Sequence, residues 1–455
     1  MRVNVSKVDA LLDCVVKYAA LPLLAIGVYV LVTGFENPFA AGIPRWPVLL
    51  SIGLLAINVF YLLGILFLAG FFYRPWKAVS DRDLPSCTVI VPAYNEGQGV
   101  LKALESLAAS DYPPEKFEIV AIDDGSADDT WSWICRSAQA APGRIRTLRL
   151  PANRGKRHAL HCGIRSSRMD VIVTVDSDSM VLPDTLRQLV SPLAQDPAIG
   201  AVAGNIRVSN MEEGLIPRMM DVNFVFNFDL MRAGQSVLRS VFCTPGALSA
   251  YRREALLPFL DGWLDQKFLG EAAGIAEDRA LSTNLLRDHW RIVFQRPAFA
   301  YTAMPTAFRN TSRMLLRWGR GDVRETLRLY RFAFRSFDGF HLGIQMQLLV
   351  QTMWLLLPLL LLPITLPVAV ANPLLVFQSA CAMTLAWSSA AALLYLWRGG
   401  GSEALLAYVF SCFRLVFLFW VTPWCVLTVR NSRWLTRGVE CRKLLSSPRL
   451  EVLKN

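Results

Sequence analysis

Hydrophobic and polar positions divide this chain into an alternating middle and two apolar ends. Residues 18–34 and 48–73 are almost continuously apolar. Each run is long enough to cross a bilayer, at about 20 residues per span. A cleaved signal peptide is the competing reading of the first run. The second run follows at once, with no mature domain between, and argues against it. From about residue 84 to 306, short apolar runs alternate with helical periodicity. Strands are predicted at 88–92, 117–122, 146–150 and 171–175, and helices at 100–110, 128–138 and 157–167. That alternation predicts an α/β domain with a mostly parallel sheet.

Beyond residue 306 the pattern shifts again. Residues 309–337 interleave Met314, Leu315, Trp318, Val323, Leu327, Leu329, Phe332 and Phe334 with many arginines, as basic helices of the membrane interface do. Residues 211–231 read as a second such segment. Three more apolar runs follow, at 342–371, 375–397 and 404–429. Two crossings plus three would leave the basic tail (Arg430, Arg433, Arg437, Arg442, Lys443) outside, against the positive-inside bias. The last run contains Ser411, Arg414 and Pro423, so it is expected to be a broken or re-entrant pair. Arg414, an intramembrane charge, is expected to face a polar channel. The expected organisation is two spans in 1–77, a cytoplasmic α/β domain in 84–306, interfacial helices in 307–340, a channel region in 341–429 and a cytoplasmic segment in 430–455.

Composition agrees with that division. Of 455 residues, 53% are hydrophobic and only 18% charged, with mean hydropathy +0.36. Soluble domains carry about a quarter charged residues. The net charge of +11 is concentrated beside the apolar runs, where anionic lipid and membrane topology account for it. No nucleic-acid motif accompanies it. Nine scattered cysteines without a C-x-x-C pair read as reduced thiols. His158 and His161 read as ordinary polar residues. There is no G-x-G-x-x-G and no G-x-x-x-x-G-K-[ST], so neither a dinucleotide fold nor a P-loop is indicated.

The chemistry begins at Val171-Ile-Val-Thr-Val-Asp176-Ser-Asp178. Side chains two apart in a strand share a face, so both carboxylates are expected to aim at one ligand at the sheet's C-terminal edge. Two oxygen donors there suit a hard divalent cation that shares phosphate oxygens with a substrate. A capped loop with two solvated aspartates is the alternative. Further polar stretches punctuate the chain: Tyr94-Asn95-Glu96, Asp123-Asp124-Gly-Ser, Asn153-Arg-Gly-Lys156, Thr244-Pro245-Gly246, Glu277-Asp278-Arg279, Arg317-Trp318 and Arg430-Asn-Ser-Arg-Trp434-Leu-Thr436-Arg437.

In this order, between membrane runs, these stretches resemble the processive membrane-bound family 2 glycosyltransferases. Within that family the chain looks most like hyaluronan synthases and rhizobial chitooligosaccharide synthases, over roughly residues 84–440. The resemblance implies a GT-A-like domain in a bacterial inner membrane, with UDP-sugar donor, growing polysaccharide acceptor, lipid partners and no nucleic acid. UDP-N-acetylglucosamine is the expected donor, with UDP-glucuronate a second one if the product is hyaluronan-like. The implied donor residues are Tyr94, Glu96, Asp123, Asp124, Lys156, Asp176, Arg317, Trp434 and Arg437. Asp176 and Asp178 would hold Mg²⁺ or Mn²⁺, Asp278 would be the general base with Glu277 beside it, and Gly246 and Trp318 would meet the acceptor. Three positions depart from the family pattern: Met314 stands at a glutamine position, Pro245 precedes Gly246, and Ala276 precedes Glu277. Two other readings remain: a non-processive transferase acting on a polyprenyl-phosphate lipid, and a non-catalytic transporter or scaffold.

Overall fold

The computed structural model describes residues 7–34, 45–337 and 339–432. Its centre is an eight-stranded sheet of order β3-β2-β1-β4-β7-β6-β10-β5. The strands are β1 Cys87–Ala93, β2 Phe117–Asp123, β3 Ile145–Arg149, β4 Val171–Thr174, β5 Ser179–Val181, β6 Ile199–Val208, β7 Ser249–Arg252 and β10 Arg291–Thr302. Two short strands, β8 Lys267–Phe268 and β9 Glu271–Ala272, form a separate hairpin. β3, β2, β1 and β4 pair in parallel, as do β6 and β10; β7 runs antiparallel between the two sets.

The parallel half is dictated by its composition. β1 (Cys-Thr-Val-Ile-Val-Pro-Ala) is buried on both faces along its whole length, the pattern expected when helices cover both sides. Gly99–Ala108, Thr130–Ala140 and Lys156–Ser166 are those crossover helices, within two residues of their predicted bounds. Gly163 has no room for a side chain: a Cβ would lie 2.7 Å from Ile90 Cγ2. Val89, Val91, Ile119 and Val173 are fully buried, each stabilising the fold by about 1.5–3 kcal/mol.

Helices flank the domain. The Lys7–Gly34 helix packs on the Pro373–Trp397 helix, where a Cβ on Gly27 would lie 2.9 Å from Ala382 O. Among the described residues, Pro373–Trp397 is one helix long and apolar enough to cross a membrane. The last apolar run is broken as the parity of crossings and Pro423 suggest: Ser402–Phe417 and Val421–Leu427 meet at a 49° bend.

Two segments expected at the membrane interface also pack into the protein. The Phe308–Leu329 helix does so through its arginines. Arg320 and Arg324 are buried and reach the C-terminal segment, at Thr428 Oγ1 (3.0 Å) and Val429 O (3.2 Å). The stretch from Leu215 to Val237 is a continuous helical rod packed into the core. Its Asp221 is buried because Arg207 holds it with two parallel bonds of 2.8 and 2.5 Å, a geometry that offsets the desolvation of both charges.

Candidate functional site

A cavity of about 2000 Å³ opens at the C-terminal ends of β1, β2 and β4 and continues towards the C-terminal helices. Tyr94, Asp124, Lys156, Asp176, Asp178, Gly246, Glu277, Asp278, Arg317 and Trp318 line it together. These are ten of the predicted site residues, drawn from positions scattered over more than two hundred residues of chain.

Local structure explains how each is presented. Tyr94 leaves β1 in a turn tied to the end of β2: Asn95 N–H donates to Ser126 Oγ (3.0 Å), and Glu96 and Gly97 N–H donate to Thr130 Oγ1 (2.9 and 2.8 Å). Asp124 spends both oxygens on backbone, accepting from Arg154 N–H (3.1 Å) and Gly155 N–H (2.9 Å). Burial nevertheless pushes its carboxyl up to about 6. The loop it holds passes so close that a Cβ on Gly125, at φ +68°, would sit 2.6 Å from Ala152 C, so only glycine fits. This loop delivers Lys156 to the first turn of its helix.

Asp123 ends β2 and Glu96 lies in the turn after β1, both next to the cavity lining. Asp123 is fully buried, accepting from Ser126 N–H (2.9 Å) and pairing with Arg149 Nε (3.3 Å). Glu96 accepts from Ser177 Oγ at 3.0 Å. Both brace the strand-end turns that carry Tyr94 and Asp124. Trp434 and Arg437 lie outside the described residues.

The D-x-D pair is placed differently from expectation. β4 ends at Thr174, and Asp176 to Asp178 form a tight turn into β5, closed by Ser179 N–H donating to Asp176 O (3.0 Å). Turn geometry, not strand alternation, brings both carboxylates to the cavity while Ser177 points back to Glu96. Asp178 accepts from Thr302 Oγ1 at 3.4 Å. No group of three or more His, Cys, Asp or Glu able to hold a metal occurs among the described residues. Two carboxylates alone fit an ion that completes its shell with phosphate and water.

Lys156 Nζ sits between Asp176 Oδ1 (2.5 Å) and Glu277 Oε1 (3.0 Å). Burial works to lower its pKa, but Asp176, Glu277 and Asp278 outweigh that and raise it, so the ammonium is retained. Glu277 and Asp278 open the Glu277–Arg287 helix, where the helix dipole favours carboxylates. They are pushed apart. Burial opposes ionisation of Glu277, yet Lys156 and Arg317 hold it low. Burial and the Glu277 charge raise Asp278. Asp278 Oδ2 accepts from Gly246 N–H (3.1 Å) and Oδ1 from Arg279 N–H (2.7 Å), which fix its plane. Gly246 is constrained by approach: a Cβ there would lie 2.7 Å from Lys156 Nζ. One low and one raised carboxylate, side by side, is the arrangement that supplies a poised base.

The acceptor-side elements were only partly legible. Trp318 is half-buried beside Phe224, at 6.3 Å between ring centroids, and Phe224 meets Phe228 at 4.6 Å. Asn227, Phe228, Arg232, Asp322 and Arg414 also line the cavity. Arg414, the charge expected to face a polar channel, faces this cavity. Asp322 shares a face with Arg317 and Trp318, since positions 314, 317, 318, 321 and 322 continue one side of one helix.

This fold and this cavity define a glycosyltransferase of the GT-A type. The chain belongs to the family 2 glycosyltransferases. Residues 88–257 match the family model described as "Glycosyl transferase family 2". An N-acetylglucosaminyltransferase of Mesorhizobium japonicum is 31% identical over 370 residues, covering 79% of this chain and 83% of that protein. One of Neorhizobium galegae is 30% identical over 406 residues, covering 85% and 90%. Among solved structures, the mannosyltransferase PcManGT from Pyrobaculum calidifontis, in complex with GDP-Man and Mn²⁺, shares the fold. Its TM-score is 0.56 at 20% identity, over 90% of this chain and 99% of that one.

Proposed function

We propose that this protein transfers N-acetylglucosamine from UDP-N-acetylglucosamine, with inversion, to the non-reducing end of a β-linked saccharide. The observation that carries this reading is the pair Glu277 and Asp278, one carboxylate held low by Lys156 and Arg317 and the other raised beside it. Asp278 takes the proton from the attacking hydroxyl of the acceptor. Lys156 and Arg317 hold the diphosphate, Lys156 as a point charge. Glu277 holds Lys156 in place. Tyr94 and Asp124 border the nucleoside. Asp176 and Asp178 would hold a divalent cation, which supplies charge neutralisation of the leaving diphosphate when bound. Trp318 offers a flat apolar face to the acceptor sugar. The N-acetylglucosaminyltransferase relatives support this sugar.

We further propose a membrane-integrated enzyme that extends its product repeatedly and passes it outward. The cavity runs on from Trp318 to Leu355, Arg414 and Thr422 on the C-terminal helices, which supports that route. The test is the purified full chain in nanodiscs with radiolabelled UDP-N-acetylglucosamine. Wild type is expected to give polymer or oligomer cleaved by a chitinase, and Asp278→Asn none. A product extractable into organic solvent would instead mark a lipid-phosphate acceptor. Full activity of Asp278→Asn would remove the base assignment.

A further inference from the structure

Three buried hydroxyl groups meet beside Asp278, and the reaction steps above leave them without a task. Thr244 Oγ1 lies 2.8 Å from the Tyr251 hydroxyl and 2.9 Å from Ser282 Oγ. Thr244 N–H donates to Ser282 Oγ (3.1 Å), and Ser282 Oγ–H lies within reach of Asp278 O (3.2 Å). All three side chains are buried. A buried hydroxyl lowers stability unless it is bonded, and apolar side chains of the same shape would fill the space without that demand. The cluster therefore calls for a reason.

Its geometry joins three elements. Tyr251 sits on β7 in the middle of the sheet, opposite Ile172 of β4 and Ala201 of β6. Ser282 lies one turn beyond Asp278 on the Glu277–Arg287 helix. Thr244 begins the loop that leads through Pro245 and Gly246 into β7. A second residue of β7 holds the same loop, since Ser249 Oγ donates to Pro245 O at 2.6 Å. Two residues after Thr244, Gly246 N–H makes its 3.1 Å bond to Asp278 Oδ2. The path is closed. It runs from Asp278 to Ser282 along the helix, across to Thr244, along the loop to Gly246 and back to the Asp278 carboxylate.

We propose that Thr244, Ser282 and Tyr251 are positioning residues for the general base: they lock the Thr244–Gly246 loop to the Glu277–Arg287 helix and so fix the orientation of Asp278 Oδ2. The inference rests on the transfer reaction proposed above. A base must stand within hydrogen-bond reach of the proton it takes, and a misplacement of about 1 Å can cost about a hundredfold in rate. Buried hydroxyls bonded in series strengthen one another, and β7 gives this series a rigid origin.

The Gly246 bond acts on ionisation as well as on orientation. An N–H donor favours the charged carboxylate, so it opposes the rise that burial and Glu277 cause in Asp278. Lys156 and the Arg279 N–H oppose that rise too. Arg232, Cys243 and Tyr251 are near enough to interact with Asp278, and Arg317 and Asp322 border the same cavity from the Phe308–Leu329 helix. None of those charges changes when a hydroxyl of the cluster is removed. A shift in the acid limb of the rate therefore reports the Gly246 bond.

The experiment uses the full chain in nanodiscs with UDP-N-acetylglucosamine as donor and N,N′,N″-triacetylchitotriose as acceptor. It compares wild type with Thr244→Val, Ser282→Ala and Tyr251→Phe, and with Thr244→Ser, which keeps the hydroxyl. kcat is expected to fall about tenfold or more in Thr244→Val and Ser282→Ala, and by less in Tyr251→Phe, one bond further from the base. UDP affinity and donor KM should stay within about threefold, because Lys156 and Arg317 are untouched. The acid limb of kcat should move to higher pH in the same order, as the carboxylate loses a donor. Thr244→Ser should recover most of both effects. If Ser282→Ala does not fold, Thr244→Val and Tyr251→Phe give the same readouts. A fall in kcat with the acid limb unmoved overturns the inference, because the loss would then be structural. Unchanged kcat in Thr244→Val and Ser282→Ala overturns it as well. Absence of transfer by wild type would instead remove the proposed reaction, a result distinct from either.

Discussion

Lys156 Nζ lies 2.5 Å from Asp176 Oδ1, so in this structure the lysine neutralises a carboxylate that the proposed mechanism needs for a cation. Glu277, 3.0 Å away on the other side, can keep the ammonium in the cavity when Asp176 turns to another partner. Lysine and cation therefore compete for Asp176 until the nucleotide diphosphate arrives to occupy both. Lys156→Met is expected to bind Mn²⁺ alone more tightly, by about threefold or more, because a competing charge is gone. The same variant should bind UDP about tenfold or more weakly. Titration of Mn²⁺ by electron paramagnetic resonance, with and without UDP, reads both. Weaker Mn²⁺ binding in the absence of UDP would refute the competition.

The raised carboxyl of Asp278 sets a pH limit. A general base must be ionised, so turnover should fall as pH drops through a folded-state value raised above the usual carboxylate range. Burial and the negative Glu277 are the causes of the rise. Glu277→Gln removes the second cause, and the acid limb of kcat should move to lower pH. It also removes one partner of Lys156, so the KM for UDP-N-acetylglucosamine should rise in the same variant. A pH–rate profile of wild type and Glu277→Gln at saturating donor separates the two effects. An acid limb that stays in place would show that another group controls it.

Much of this site could be read from residue order, because its chemistry is local: Asp176-Ser-Asp178, Glu277-Asp278-Arg279 and Arg317-Trp318 are short runs, and all enter the cavity. The crossover helices were equally legible, since one apolar face under a parallel strand imposes its own period. What failed was anything set by tertiary placement. Asp123 resembles Asp124 in sequence, yet one is buried beneath an exposed Arg149 and the other anchors the Lys156 loop. Residues 211–231 mix large apolar side chains with Asp221 and Asp229, a pattern that reads as a membrane surface. Their partners, Arg207 for Asp221 and Arg296 with Arg398 for Asp229, come from distant elements, and no local pattern announces them.

Gly246 offers a test that separates positioning from folding. Its added Cβ would meet the mobile end of Lys156, not backbone. Gly246→Ala should therefore change stability by less than about 0.5 kcal/mol, while displacing the ammonium from the Asp176–Glu277 bridge. UDP affinity should fall several-fold with the melting temperature unchanged. A parallel fall in melting temperature and affinity would mean that the backbone, not the lysine, had moved.

Ala276 departs from the family pattern, and the structure gives the departure a partner. Ala276 adopts φ +59°, a left-handed conformation that costs a non-glycine residue about 1–2 kcal/mol. Its Cβ packs against Gly321, where a second Cβ would lie 2.3 Å away. The alanine and the glycine therefore act as a pair at the point where the Glu277–Arg287 helix meets the helix carrying Arg317 and Trp318. Gly321→Ala alone should destabilise by about 1–3 kcal/mol through overpacking, and should lower transfer by shifting Trp318 relative to Asp278. Ala276→Gly alone loses the contact but also the strain, so its change should be small. Gly321→Ala combined with Ala276→Gly should recover most of both stability and activity, because the clash needs both methyl groups. Thermal melts and transfer rates of the four proteins form a double-mutant cycle. Additive losses would show that the two residues do not share this contact.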